Sequence, residues 1–142
     1  MLKNNPVLLD THVWYWLMLN IERVNQPGIL NKITRAQDNG NLYLSVISIW
    51  ELGLLHRKKR LQLFQDINKW VDTALFKSHI LLLPLHPEIA LNSSILISKL
   101  HGDPADRILI ASTLYLGATL ITADKRLISY CKKQKLSCLS II

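Results

Sequence analysis

The reading of the fold turns on residues 6–19, PVLLDTHVWYWLML. Val7, Leu8 and Leu9 form an apolar run without alternation, the pattern of a strand buried on both faces. From Thr11 to Leu19 the residues Val13, Trp14, Trp16, Leu17 and Met18 have the apolar density of a helix. PVLLD (6–10) therefore predicts a strand and 11–19 a helix, with Asp10 at the junction.

The same arrangement continues along the chain. Residues 28–39 predict a second helix, closed by Asn39-Gly40, and NLYLS (41–45) a second strand. An apolar helix over 46–56 runs into the basic stretch Arg57-Lys58-Lys59-Arg60. Leu63, Ile67, Trp70, Val71 and Ala74 recur at three-to-four spacing and predict an amphipathic helix over 62–76. HILLLPL (79–85) reads as strand three. Pro87 opens a helix expected to reach about Leu100, and 104–116 forms another, closed by Gly117. ATLIT (118–122) is strand four, 125–134 a helix, and LSCLSII (136–142) a last short strand. Apolar strands separated by helices imply an α/β fold, with a central parallel sheet of four to five strands covered on both faces. Crossovers should be right-handed. No repeat, low-complexity segment or linker divides the chain, so one domain is expected over 1–142.

Composition narrows the function. With 142 residues and 49% hydrophobic content the chain can bury an ordinary core. Ile80–Leu83 is stopped by Pro84, and the N-terminal apolar stretch is broken by Asp10 and His12, so neither spans a bilayer. No secretory cleavage pattern is visible. Cys131 and Cys138 match neither a zinc site nor a disulfide framework. A cytoplasmic protein with no membrane partner is expected. The 17 Lys and Arg against 10 Asp and Glu give a net charge of +7, which suits a polyanionic partner. Acids are scarce, so their placement carries information.

Ligands of open parallel α/β sheets bind beyond the carboxyl ends of the strands. Asp10 ends strand one, Glu51 lies early in the helix after strand two, Asp106 is in the first turn of the helix before strand four, and Asp124 follows strand four. Glu22, Asp38, Asp66, Asp72 and Glu88 fall on helices or helix ends expected to be exposed. Each of the four has a local reading. Asp10 and Asp124 can cap the helices they precede. Ser48-Ile49-Trp50-Glu51 matches a capping box, and so does Asp103-Pro104-Ala105-Asp106, with proline at the first helical position. Asp103 reads as the cap of that helix, and Asp106 as the residue facing a site. Taken jointly, the four point beyond capping. Two carboxylates about 4 Å apart repel by roughly 4 kcal/mol at an effective dielectric near 20. Four in one cleft must raise one another's pKa or hold a cation. An all-oxygen ligand set suits Mg2+ or Mn2+. Such an ion activates water toward a phosphodiester, so an acidic pocket on a basic chain fits a metal-dependent nuclease.

These residues also carry a resemblance. LLDTHVWYWL (8–17), SVISIWELGLL (45–55), DPADRILIAS (103–112) and GATLITADKRLI (117–128) resemble, in order, the motifs of the PIN-domain ribonucleases, in particular the toxins of VapBC-type toxin–antitoxin pairs. The resemblance runs over nearly the whole chain. It implies a three-layer α/β/α sandwich and a Mg2+- or Mn2+-dependent endoribonuclease whose catalytic and metal-holding acids are Asp10, Glu51, Asp106 and Asp124. It also implies an RNA substrate, a cognate antitoxin protein and a homodimer.

Other residues are candidates for support. Thr11, Ser48 and Thr122 stand beside the acids, where they could orient carboxylates or make local caps. His12 follows the first acid and reads either as a packed histidine or as a phosphate or carboxylate partner. Arg107 neighbours Asp106 and could pair with an acid or a phosphate. Arg57, Lys58, Lys59 and Arg60 could bind RNA phosphates, or complement a helix C-terminus. His56, His79, His86 and His101 show no ligand spacing. Trp14, Trp16, Trp50 and Trp70 read as core or dimer interface rather than as stacking surfaces. Two competing functions stay open. One is a receiver-like signalling module, which needs paired acids after strand one, where Asp10 is followed by Thr11 and His12. The other is a catalytically inactive PIN fold that binds RNA or protein.

Overall fold

The computed structural model describes residues 5–96, 100 and 103–141. Its elements run β1 Val7–Leu9, α1 Thr11–Met18, a 3-10 turn Glu22–Val24, α2 Pro27–Asp38, β2 Leu42–Ser45 and α3 Val46–Arg57. They continue with α4 Ile67–Ser78, β3 Leu81–Leu83, α5 Pro87–Ile95, α6 Pro104–Leu116, β4 Thr119–Thr122, α7 Lys125–Gln134 and β5 Cys138–Ser140. Among the described residues no helix is long and apolar enough to cross a membrane.

Local chemistry explains the boundaries, including those that differ from expectation. The amphipathic segment expected at 62–76 is helical only from Ile67. Asp66 sets that start, its carboxylate accepting from the N–H groups of Asn68 at 3.0 Å and Lys69 at 3.3 Å. Leu63 precedes the helix and packs half-buried against the core. The helix ends at His79, whose φ of 53° is left-handed. Strand three is consequently shorter than 79–85, since His79 closes α4 and Pro84 has no N–H for the ladder. The helix opened by Pro87 ends at Ile95 rather than near Leu100. Residues 97–99, 101 and 102 lie outside the described residues, and with them His101. Helix α6 begins with Pro104 at its first position and stops at Gly117, whose φ of 62° suits a residue without a Cβ.

The five strands are all parallel, in the order β3-β2-β1-β4-β5. Alternation along each strand separates two cores. Val7, Leu9, Leu42, Leu44 and Ile121 pack on one face with Val13 and Trp14 of α1, Ile29 and Ile33 of α2, and Trp70 of α4. Leu8 and Leu120 pack on the other with Leu109 and Ile110 of α6 and Leu127 and Cys131 of α7. Helices thus cover both faces of the sheet, in three layers. Burial on both faces is why the central strands read as continuous apolar runs.

The strand order matters for the site. From β1 the chain moves to β2 and β3 on one side, then returns to place β4 on the other side of β1. The order reverses between β1 and β4, and a crevice opens beyond their carboxyl ends. Register puts Leu9 opposite Ile121, so Asp10 and Thr122, the next residues, emerge side by side at that edge.

Candidate functional site

A cleft of about 320 Å³ lies at this edge, lined by Asp10, His12, Trp16, Arg23, Glu51, Asp103, Asp106, Ala123 and Asp124. A larger hollow of about 480 Å³, near the C-terminal end of α1, is lined by Leu17, Asn20, Ile21, Glu22, Val24, Asn25 and Leu30 and gathers no comparable set of ionisable groups. The cleft is where chemistry can occur.

Each acid reaches it from a defined element. Asp10 caps α1, its Oδ1 accepting from the Thr11 N–H at 2.7 Å. Its Oδ2 accepts from the Thr122 hydroxyl at 2.6 Å. Asp124 caps α7, its Oδ1 accepting from the N–H groups of Arg126 at 2.8 Å and Leu127 at 3.4 Å. The Asp124 N–H donates to Thr122 Oγ1 at 3.0 Å. One threonine hydroxyl therefore serves both acids, donating to the first and accepting from the second. Asp103 caps α6 by accepting from the Ala105 N–H at 3.0 Å. Asp106 stands one turn further on and is buried. Capping and cleft lining coincide in Asp10, Asp103 and Asp124, because three helices start at this edge. Their N-terminal partial charges favour anions there.

Glu51 arrives differently. The capping box expected at Ser48 and Glu51 is not formed, since the helix starts three residues earlier. Ser45 is the cap of α3, accepting from the Ile47 N–H at 3.1 Å. Ser48 is fully buried inside the helix, and Thr11 Oγ1 points toward both Ser48 Oγ at 2.9 Å and Glu51 Oε1 at 2.5 Å. One hydroxyl proton serves one acceptor at a time, and an ionised carboxylate is the stronger claimant. Thr11 and Thr122 thus bond the acids directly, while Ser48 reaches them only through its contact with Thr11.

Carboxylate oxygens of Glu51, Asp103 and Asp106 lie within 4.8 Å of one another. The electrostatic consequence is marked at Asp106. Burial, followed by the charges of Asp103, Asp124, Asp10 and Glu51, pushes its pKa up to about 8. Glu51 is also raised, first by burial, against the Thr11 hydrogen bond. Burial raises Asp10 too, opposed by Thr122 and the Thr11 N–H.

A family model described as PIN domain matches residues 7–133. The chain belongs to the PIN domain family. Ribonuclease VapC22 of Mycobacterium tuberculosis is 32% identical to it over 124 residues, covering 87% of this chain and 91% of that protein. The PIN fold is shared with two solved assemblies. DNA-bound VapBC from Salmonella typhimurium gives a TM-score of 0.68 at 14% identity, covering 97% of this chain and 99% of that one. VapBC2 from Rickettsia felis, bound to a DNA fragment from their promoter, gives 0.67 at 14% identity, covering 94% and 97%. At such identity the likeness is one of fold.

Asp10, Glu51, Asp106 and Asp124 line one cleft. Asp103, taken from sequence as a cap alone, caps and also stands in the carboxylate triplet. Its three-residue spacing from Asp106 was the available signal, since residues three apart share a helix face. His12 is exposed and lines the cleft, not packed in the core. The tryptophans divide: Trp14 and Trp70 are core, Trp50 is 52% exposed, and Trp16 faces the cleft. Arg107 is half-buried on α6 and is not among the cleft-lining residues. Arg57, Lys58, Lys59 and Arg60 are exposed at the end of α3, about 9 Å along the axis from Glu51 at 1.5 Å per residue. Arg23 was missed, and no local pattern marks it, because the 3-10 turn carries it to the cleft.

Proposed function

We propose that this PIN domain, spanning 1–142, is the toxin of a toxin–antitoxin pair and acts as a metal-dependent endoribonuclease. One observation carries the reading. Five carboxylates share the cleft at the β1/β4 switch point, three of them with oxygens within 4.8 Å, on a chain of net charge +7. The relationship to Ribonuclease VapC22 supports the ribonuclease activity. The fold shared with VapBC assemblies is in keeping with an antitoxin protein as partner.

The donor set fits a cation. It is all oxygen, which suits Mg2+ or Mn2+; burial and then the neighbouring carboxylates raise Asp106, and a divalent charge would offset both. Glu51, Asp103 and Asp106 would hold the ion, with Asp10 and Asp124, just past the ends of β1 and β4, available in the same cleft. A bound cation supplies Lewis acidity toward water and neutralises charge on a phosphodiester. The chain's own groups set the geometry. Thr122 and the Thr11 N–H fix both oxygens of Asp10, and the Thr11 hydroxyl orients Glu51. The raised pKa of Asp106 favours its protonated form at neutral pH in the metal-free chain, and a bound cation would favour the carboxylate. Catalysis is assigned to Asp10, Glu51, Asp106 and Asp124, with Asp103 added as a further ligand. Exposed Arg57, Lys58, Lys59 and Arg60 suit phosphates of RNA leaving the cleft. Exposed Leu91 and Ile95 of α5, and exposed Leu114 and Tyr115 of the adjoining α6, suit a second copy in a cytoplasmic homodimer.

The test is RNA cleavage by the purified chain in EDTA and after addition of Mg2+ or Mn2+. Cleavage is expected with either ion and not in EDTA. Undiminished cleavage in EDTA would overturn the metal dependence. No cleavage with any divalent ion would leave a binding module.

A further inference from the structure

One wall of the acidic cleft is not acidic. Arg23 lies with its guanidinium carbon 4.1 Å from the centroid of the Trp16 ring. His12 stands on the same side, its ring centroid 5.9 Å from Trp16. All three line the cleft with the carboxylates. Two come from consecutive turns of α1, where residues four apart share a face. The third comes from the 3-10 turn. A cation beside five acids would ordinarily settle on a carboxylate. Here Arg23 is exposed and rests on an indole. An exposed cation–π contact is weak, so a phosphate can draw the guanidinium off the ring and uncover it. Single-stranded RNA offers both groups such a wall can use, a phosphate for the cation and a base for the ring.

We infer that Trp16 and Arg23 form a nucleotide subsite of the cleft, Trp16 stacking a base and Arg23 holding the adjacent phosphate. This rests on the nuclease reading for its place in the reaction, but binding can be measured without cleavage. Trp16 is partly packed on the core, so its variants need thermal melts; Arg23 is exposed and its substitution is the safer probe.

The probes are fluorescein-labelled decamers of oligoadenylate and oligouridylate, bound in EDTA and read by anisotropy over a salt series. Wild type should prefer oligoadenylate, because purines stack more strongly. Trp16→Leu should lower that affinity by about tenfold and erase the preference, whereas Trp16→Phe keeps it. Arg23→Gln should weaken both decamers and flatten the log–log salt slope by about 0.7, the share of one phosphate contact on a single strand. Lys77→Gln, on exposed α4 surface, should change neither. Folded Trp16→Leu and Arg23→Gln proteins that bind and cleave RNA like a cleaving wild type would overturn the subsite. A wild type that shows the preference and its loss, yet never cleaves with Mg2+ or Mn2+, would support the subsite and overturn the nuclease.

Discussion

Thr122 donates its hydroxyl proton to Asp10 across 2.6 Å, although 112 residues separate them in the chain. The contact follows from strand pairing, because Leu9 opposite Ile121 brings the next residues of β1 and β4 together. The same hydroxyl accepts from the Asp124 N–H. Two acids of the proposed site are therefore held in register by one side chain with no charge.

Thr122→Val should strip a partner from buried Asp10 and from the Asp124 N–H at once. Leaving such groups unsatisfied costs about 1–3 kcal/mol, and Asp10, already raised by burial, should rise further. Chemical denaturation should show that loss, with weaker cleavage, while Thr122→Ser keeps both. Full activity in Thr122→Val would rule out a positioning role.

Asp106 makes stability depend on pH in an unusual direction. Its pKa rises from 3.8 to about 8 on folding, so between those values the folded chain binds more protons than the unfolded one. Metal-free protein should then lose stability as pH climbs from about 4 through 8. Asp106→Asn should flatten this slope, leave the metal-free protein as stable or more so, and abolish cleavage. A residue acting purely as a helix N3 cap would instead lose up to about 1 kcal/mol and keep activity.

Cation binding should be coupled to proton release. Below about pH 8 the ion must displace the Asp106 proton, so Mg2+ affinity should rise with pH and level off above that value. Calorimetry in two buffers of different ionisation enthalpy reads the released proton. Mg2+ should also raise the melting temperature of wild type far more than that of Asp106→Asn. Affinity independent of pH from 6 to 8 would argue against Asp106 as a ligand.

Asp103 can be divided into cap and charge. Asparagine caps nearly as well as aspartate, whereas alanine costs about 0.5–2 kcal/mol. Asp103→Asn should keep the melting temperature and weaken Mg2+ binding. Asp103→Ala should lose both. If the two variants bind Mg2+ as tightly as wild type, Asp103 is a cap alone.

Much of this was legible in the chain before folding. Pro104 and Gly117 bound α6 at the expected residues, and Asp10, Asp103 and Asp124 are caps as their positions implied. Where the reading slipped, the cause was local competition. Leu63 continues the apolar spacing of α4, but Asp66 captures the first free N–H groups and starts the helix after it. Ser48 and Glu51 satisfy a capping-box pattern, but β2 runs straight into α3 and leaves that task to Ser45.

What the sequence determined by itself was the alternation of apolar strands and helices, and an acid at the start of α1, α6 and α7. Those features depend on neighbouring residues: buried strands need unbroken apolar runs, and exposed helix N–H groups need an acceptor. What only the tertiary structure decided was the company each acid keeps. The order β3-β2-β1-β4-β5 puts Thr122 against Asp10 and closes Glu51 on Asp103 and Asp106. Carboxylate repulsion and burial depend on separations in space, and these are fixed only when strands far apart in sequence pair.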